Sequence, residues 1–123
     1  MKNFALKLIK KHKLKRDKYY KKSPYGQQWG TISEDELKLL ANWTPRVAPG
    51  WYGISIGNPC PISWFRVLDE FFIEVEKYNP EFQICQVKLK LGGLRIYLDK
   101  INKETQEAIY LLEGEMFDNN LIY

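Results

Sequence analysis

Apolar and polar residues alternate along residues 86–98, in two runs that flank Gly92-Gly93. Alternating runs joined by two glycines predict a β-hairpin with a tight two-residue turn. In the register that such a turn sets, Lys90 lies opposite Arg95. One face of the hairpin is then aliphatic, with Val87, Leu89, Leu91, Leu94, Ile96 and Leu98. The opposite face is basic and carries Lys88, Lys90, Arg95 and Tyr97.

Helical periodicity surrounds this hairpin, which is expected over residues 82–91 and 94–99. Residues 61–78 have the widest apolar surface, so we expect a central helix there that covers the aliphatic face of the hairpin. A capping box from Ser33 to Glu36 predicts the start of a shorter helix. The other helices are expected over about residues 2–20 and 102–112, and residues 53–56 fit a short extended piece. Together these elements predict an α+β fold.

Charge divides the 123-residue chain unevenly. Residues 1–22 contain ten Lys or Arg and one acidic residue, a net charge of +9. Residues 23–123 contain nine basic and fourteen acidic residues, a net charge of −5. The sequence therefore predicts a basic helical arm over residues 1–22, attached to a single α+β domain over residues 23–123.

The hairpin also resembles a known family. Its motif Gln-x-Lys-x-Lys-x-Gly-Gly-Leu-Arg-x-Tyr, over residues 86–97, together with the upstream Gly50-Trp51, is similar to small uncharacterised proteins of bacteria and their phages. The similarity covers about residues 49–112. Leu91 stands where members of that family often carry an aromatic residue, and Leu89 where an acidic residue is usual. The resemblance implies a setting in a phage, prophage or other mobile element, and it implies no reaction.

The sequence offers little chemistry for catalysis. The single histidine, His12, lies in a lysine cluster, and Cys60 and Cys85 lack the spacing of metal ligands. The glycines of residues 49–61 match neither a P-loop nor a dinucleotide-binding fingerprint. We therefore expect a protein that is not an enzyme and holds no metal or cofactor. The two cysteines are expected to be small buried side chains.

Like charges placed directly opposite each other on a hairpin destabilise it, which suggests that the basic face meets an anion. Three sources of that anion remain open: carboxylates of a protein or ribonucleoprotein partner, phosphates of a nucleic acid, or acidic residues near the end of this chain. We expect a binding surface formed by Lys88, Lys90, Arg95 and Tyr97. Its use as an inhibitor of a host defence or another enzyme fits the phage-like setting.

The basic arm and one tryptophan are the other candidates for binding. At the end of the arm, Tyr19 and Tyr20 lie among Lys18, Lys21 and Lys22, a pattern that suits non-sequence-specific contact with nucleic acid and equally suits a helix packed on the body. The arm residues predicted to bind are the cations before them: Lys11, Lys13, Lys15 and Arg16. Trp51, in a loop rich in glycine and proline, is either a recognition platform or a plug over the core.

The hydropathy of the sequence bears on where in the cell the protein is found. No apolar run approaches the roughly 18 residues that span a bilayer, and lysines interrupt the apolar residues at the start. We therefore expect a cytoplasmic protein without a membrane partner, and the sequence gives no oligomeric state.

Overall fold

The computed structural model describes residues 1–12, 14, 29–56 and 60–116. Lys13 and residues 15–28, 57–59 and 117–123 lie outside the described residues. The helices are α1 (Lys2–Lys11), α2 (Glu34–Ala41), α3 (Ile62–Tyr78) and α4 (Lys103–Glu115), with a 3₁₀ turn at Thr44–Arg46. The strands are β1 (Trp29–Gly30), β2 (Gly53–Ser55), β3 (Cys60–Pro61), β4 (Gln83–Lys90) and β5 (Gly93–Asp99). The expected α+β fold is confirmed.

The predicted hairpin forms the main sheet, in the order β2-β4-β5. Strands β4 and β5 are antiparallel, and β2 joins β4 in parallel, with Gly53 opposite Gln86. The short extended piece expected near residue 53 is therefore an edge strand. A separate two-stranded pair, β1 with β3, was not expected from the sequence.

The turn of the hairpin lies one residue earlier than predicted, at Leu91-Gly92. Both residues have positive φ, 52° and 79°, as a type I′ turn requires. Consequently Lys88, and not Lys90, lies opposite Arg95, and Lys90 lies opposite Gly93. This register is shifted by two residues from the prediction, so the inward and outward faces are kept. Leu91 is the exception, because it leaves the aliphatic face and is 82% exposed.

A β-bulge at Cys85 explains how both ends of β4 reach the core. The pairing shifts by one residue between Ile84 and Gln86. An extra residue in one strand changes which face the following side chains occupy. Phe82 and Ile84, which are out of phase with Val87, are therefore also fully buried. Cys85 and Cys60 are both buried, as expected.

Helix α3 lies at the centre of the hydrophobic core, as its wide apolar surface predicts. Its buried residues are Trp64, Phe65, Val67, Leu68, Phe71, Phe72 and Val75. Trp43, from the segment after α2, packs edge-on against Phe72 and donates its indole N–H to Asp69 at 2.9 Å. Helix α2 begins as predicted, with Ser33 Oγ accepting from the backbone N–H of Glu36 at 3.3 Å. The Glu36 carboxylate accepts from the Ser33 hydroxyl at 3.3 Å as well.

Helix α1 is shorter than predicted and belongs to the core. It ends at Lys11, and not near residue 20, because the backbone N–H of Leu14 turns back to the carbonyl of Ile9 at 2.9 Å. Leu14 then packs into the hydrophobic core beside the end of the helix. Ala5, Leu8 and Leu14 are at most 2% exposed and share the core with α3 and α4. The beginning of the expected arm is thus an integral element, while Lys13 and residues 15–22 lie outside the described part.

Candidate binding surface

The basic face predicted from the hairpin is present on the outer side of the main sheet. It consists of Lys88, Lys90, Arg95 and Tyr97, defined here as the basic face. Lys88 and Arg95 lie directly opposite each other on β4 and β5. In the part of the chain that the structure describes, neither residue nor Lys90 forms an ion pair with a carboxylate. The guanidinium of Arg95 instead donates to the carbonyl of its neighbour Leu94, at 3.2 Å.

Tyr97 shapes the arrangement of charge on this face. The Nζ atom of Lys88 lies 5.8 Å from the centroid of the Tyr97 ring, close enough for a cation–π interaction. Tyr97 lies opposite Gln86 and is 44% exposed. The ring therefore orients one cation of the face and remains accessible to a ligand.

A groove continues the basic face around the edge of β5. It has a volume of about 340 Å³ and lies between β5 and α4. Its lining consists of Arg95, Ile96, Tyr97, Leu98, Gln106, Tyr110 and Glu113. Two of the four basic-face residues thus also line a concave site beside it.

Glu113 closes part of the β5 edge and was not predicted as a site residue. Its Oε2 atom accepts from the backbone N–H of Ile96 at 2.8 Å, and the N–H of Leu94 donates to the carbonyl of Met116 at 3.0 Å. Burial raises the pKa of Glu113, while the Ile96 bond and nearby Arg95 act in the opposite direction. Arg95 thus has one acidic neighbour in the fold without an ion pair to it. The sequence signal would have been the position of Glu113 one turn after Ile109, on the face of α4 that packs inward.

The lysines of α1 are partly engaged within the fold. Lys11 Nζ lies 2.6 Å from Glu70 Oε1, and His12 Nε2 lies 2.8 Å from Glu70 Oε2. Lys2 pairs with Glu107 of α4 at 3.2 Å. Glu70 of α3 thus takes both of these partners from the end of α1 and the residue that follows it. Among the arm candidates, Lys11 is thus an ion-pair residue, and Lys13, Lys15 and Arg16 lie outside the described residues.

Trp51 is separated from the basic face. It is the last residue of a type II turn at residues 48–51, in which its N–H donates to the carbonyl of Ala48 at 3.1 Å and Gly50 has φ 81°. Trp51 precedes Gly53, which lies opposite Gln86, so the tryptophan lies towards the start of β4 and the cations towards its end. Its side chain is 56% exposed, which places it on the surface and not over the core.

Other cavities of the described chain differ in charge from the basic face: one of about 350 Å³ at the start of α1 and α4 has Lys2, Glu104 and Glu107 in its lining. An apolar groove of about 390 Å³ lies between α2 and β2, and its lining contains no charged side chain. Among residues 1–12, 14, 29–56 and 60–116, no three His, Cys, Asp or Glu side chains are grouped so that they could hold a metal ion. None of the helices described is long and apolar enough to cross a membrane.

Comparison of the sequence with protein-family models and with curated proteins, and of the chain with solved structures, finds no match. The likeness of the hairpin motif to small bacterial and phage proteins therefore stays an expectation from the sequence.

Proposed function

We propose that this chain is a non-enzymatic binding protein that uses its basic face to engage an acidic surface of a protein or ribonucleoprotein partner. In the phage or mobile-element setting that the hairpin motif implies, such a protein would act as an inhibitor of a host defence or of another enzyme. The proposal concerns Lys88, Lys90, Arg95 and Tyr97, on one side of a sheet whose other side is buried.

One observation supports this proposal above the others: Lys88 and Arg95 lie directly opposite each other without a carboxylate partner in the described chain. Two like charges in this position cost roughly 0.2–1 kcal/mol of hairpin stability. An acidic surface on a partner would reverse the sign of that contribution. With respect to the described residues, the face is therefore better suited to a complex than to the isolated chain, while Asp118, near the end of the chain, lies outside them.

The surroundings of the basic face favour a protein surface over bare phosphates. Arginine and tyrosine are enriched among the residues that dominate the energy of protein interfaces. Arg95 and Tyr97 also line the groove against α4, which can accept a side chain of the partner. Phosphate contacts alone would require the cations but not the groove.

Charge reversal on the face, with a matched control, tests the proposal. The experiment compares three tagged proteins: the wild-type chain, Lys88→Glu/Lys90→Glu and the control Lys38→Glu/Lys103→Glu. Each is expressed in cells of the source, and its partners are recovered with and without nuclease treatment. The control changes net charge equally at two exposed lysines away from the face. We expect the face variant to lose its protein partner while its melting temperature stays close to that of the wild type, since a carboxylate at position 88 would attract Arg95. A partner retained equally by both variants would reject the proposal.

A second proposal is non-sequence-specific binding of nucleic acid by the basic arm, which the concentration of ten cations in residues 1–22 favours. Each phosphate contact releases counterions, so affinity for a generic duplex must fall steeply with salt. Lys15→Glu/Arg16→Glu should then weaken duplex binding and lower the slope of affinity against salt. Loss of every partner after nuclease would favour nucleic acid over a protein partner.

A further inference from the structure

The tip of the hairpin presents a leucine in an unfavourable backbone conformation. Leu91 has φ 52°, and 82% of it is exposed. A left-handed conformation brings the Cβ atom of an L-residue close to the following carbonyl oxygen, so it is disfavoured for leucine. Type I′ turns prefer Asn-Gly or Asp-Gly for this reason. Leu91 is therefore neither a favoured residue for this turn nor a buried residue of the core.

Among the described residues, one other non-glycine residue has a positive φ, and it makes a local hydrogen bond that Leu91 lacks. Lys100 also has a positive φ, 57°, but its backbone N–H donates to the Asp99 carboxylate at 2.8 Å. No hydrogen bond of this kind supports Leu91 within the described chain. Among the described residues, neither backbone preference nor burial accounts for the leucine at this position.

We propose that Leu91 inserts into an apolar pocket of a protein partner, with carboxylates at the rim of that pocket meeting the neighbouring cations. This inference rests on the proposed function and adds to it the residue that enters the partner. The charge pattern specifies the pocket: Lys90 adjoins Leu91 in the chain, and Lys88 and Arg95 follow on the same sheet face. An apolar tip beside three cations matches an apolar depression with acidic residues on one side.

A lipid surface fits these observations less well. The apolar element at the tip is a single leucine, which is smaller than the one acyl chain that gives only marginal, reversible binding to a membrane. The cations also lie along one face of the sheet and do not surround the tip, as an interfacial anchor would need. Attachment to anionic vesicles is nevertheless a distinct outcome of the experiment.

The experiment compares Leu91→Asn with Leu91→Met and with the control Ile73→Asn, which alters an exposed apolar residue on α3. Asparagine tolerates positive φ, so Leu91→Asn should raise the melting temperature by about 2–5 °C. It should also weaken binding of the purified partner, recovered with the wild-type chain, by about tenfold or more. Leu91→Met keeps an apolar side chain and should keep binding within about threefold. Ile73→Asn should leave binding unchanged.

Each result has a defined meaning. If Lys88→Glu/Lys90→Glu loses the partner but Leu91→Asn keeps it, the inference about Leu91 fails and the proposed function stands. If neither variant loses it, or the wild-type chain recovers no protein, both fail. If the melting temperature of Leu91→Asn does not rise, leucine does not destabilise this turn, and the inference fails. Leucine-dependent binding to vesicles of phosphatidylcholine and phosphatidylglycerol would overturn the protein pocket in favour of lipid.

Discussion

Asn79 joins the end of α3 to the start of α4 through both groups of its side-chain amide. Its Nδ2 atom donates to Thr105 Oγ1 at 2.7 Å and to the carbonyl of Val75 at 3.2 Å. Its Oδ1 atom accepts from the backbone N–H of Asn102 at 2.7 Å. Asn79 is only 6% exposed, so these bonds satisfy an amide that water cannot reach. From the sequence, Asn79-Pro80 indicated only the end of a helix.

Glu70 makes the stability of the fold depend on pH. Burial raises the pKa of Glu70, but hydrogen bonds and charge from Lys11 and His12 outweigh it and hold this pKa below its usual value. A carboxylate of this kind contributes stability above its unfolded pKa, and the contribution is lost as pH falls through the lower folded value. Glu70→Gln should therefore reduce the free energy of unfolding at pH 7 by about 1 kcal/mol or less, because the pair is partly exposed.

The measurement is urea denaturation of wild type and Glu70→Gln at neutral and acid pH. The difference between them should shrink as pH falls below about 4. Glu81→Gln, which removes an exposed carboxylate without an ion pair in the described chain, serves as the control. A difference between wild type and Glu70→Gln that stays equal at both pH values would contradict the ion pair.

At the scale of elements, the positive φ of Gly92 in the hairpin turn can be tested against a glycine of α4. Gly92 has φ 79°, whereas Gly114 lies in α4 with open space around an added Cβ atom. Gly92→Val should destabilise the fold by about 1–2 kcal/mol, because a β-branched residue is strained at this φ. Gly114→Ala should stabilise it by about 0.5–1 kcal/mol, because alanine favours the helix. Thermal melts of both variants provide the check, and equal shifts in both would refute this turn.

The sequence predicted the two faces of the hairpin but not its register, for a physical reason. When one strand shifts by two residues against the other, the paired side chains stay on the same faces of the sheet. The alternating pattern therefore cannot distinguish Lys90 from Lys88 as the partner of Arg95. The position of β5 depends instead on distant contacts, such as the bond from Ile96 to Glu113. The sequence does contain a signal for the bulge, because the alternation of apolar and polar residues changes phase between Ile84 and Val87. The basic face was thus predictable, while its groove, which needs α4 beside β5, was not.

For the molecule as a whole, the packing of α1 decides whether the chain has a separable arm. Leu8 is 2% exposed and lies in the same hydrophobic cluster as Ile109 and Leu112 of α4. Leu8→Ala should therefore lower the free energy of unfolding by about 2–5 kcal/mol, as for other buried leucines. Lys7→Ala, at an exposed neighbouring position, should change it by less than about 0.5 kcal/mol. Guanidinium denaturation measures the free energy of unfolding of both variants. If both values matched that of the wild type, α1 would not contribute to the stability of the core.

The contact between α1 and α4 also sets an order of events during synthesis. Helix α1 is made before α4, so the helix that covers much of its apolar stripe is not available until residues 103–115 have been made. Contacts between segments so far apart in sequence form slowly, because a long loop must close before they can stabilise the chain. During that interval Phe4 and Leu8 lack the part of their cover that α4 provides, and the lysines interspersed among them disfavour association of this segment with other chains. The lysines of α1 thus disfavour association of the exposed apolar stripe with other chains, independently of any ligand.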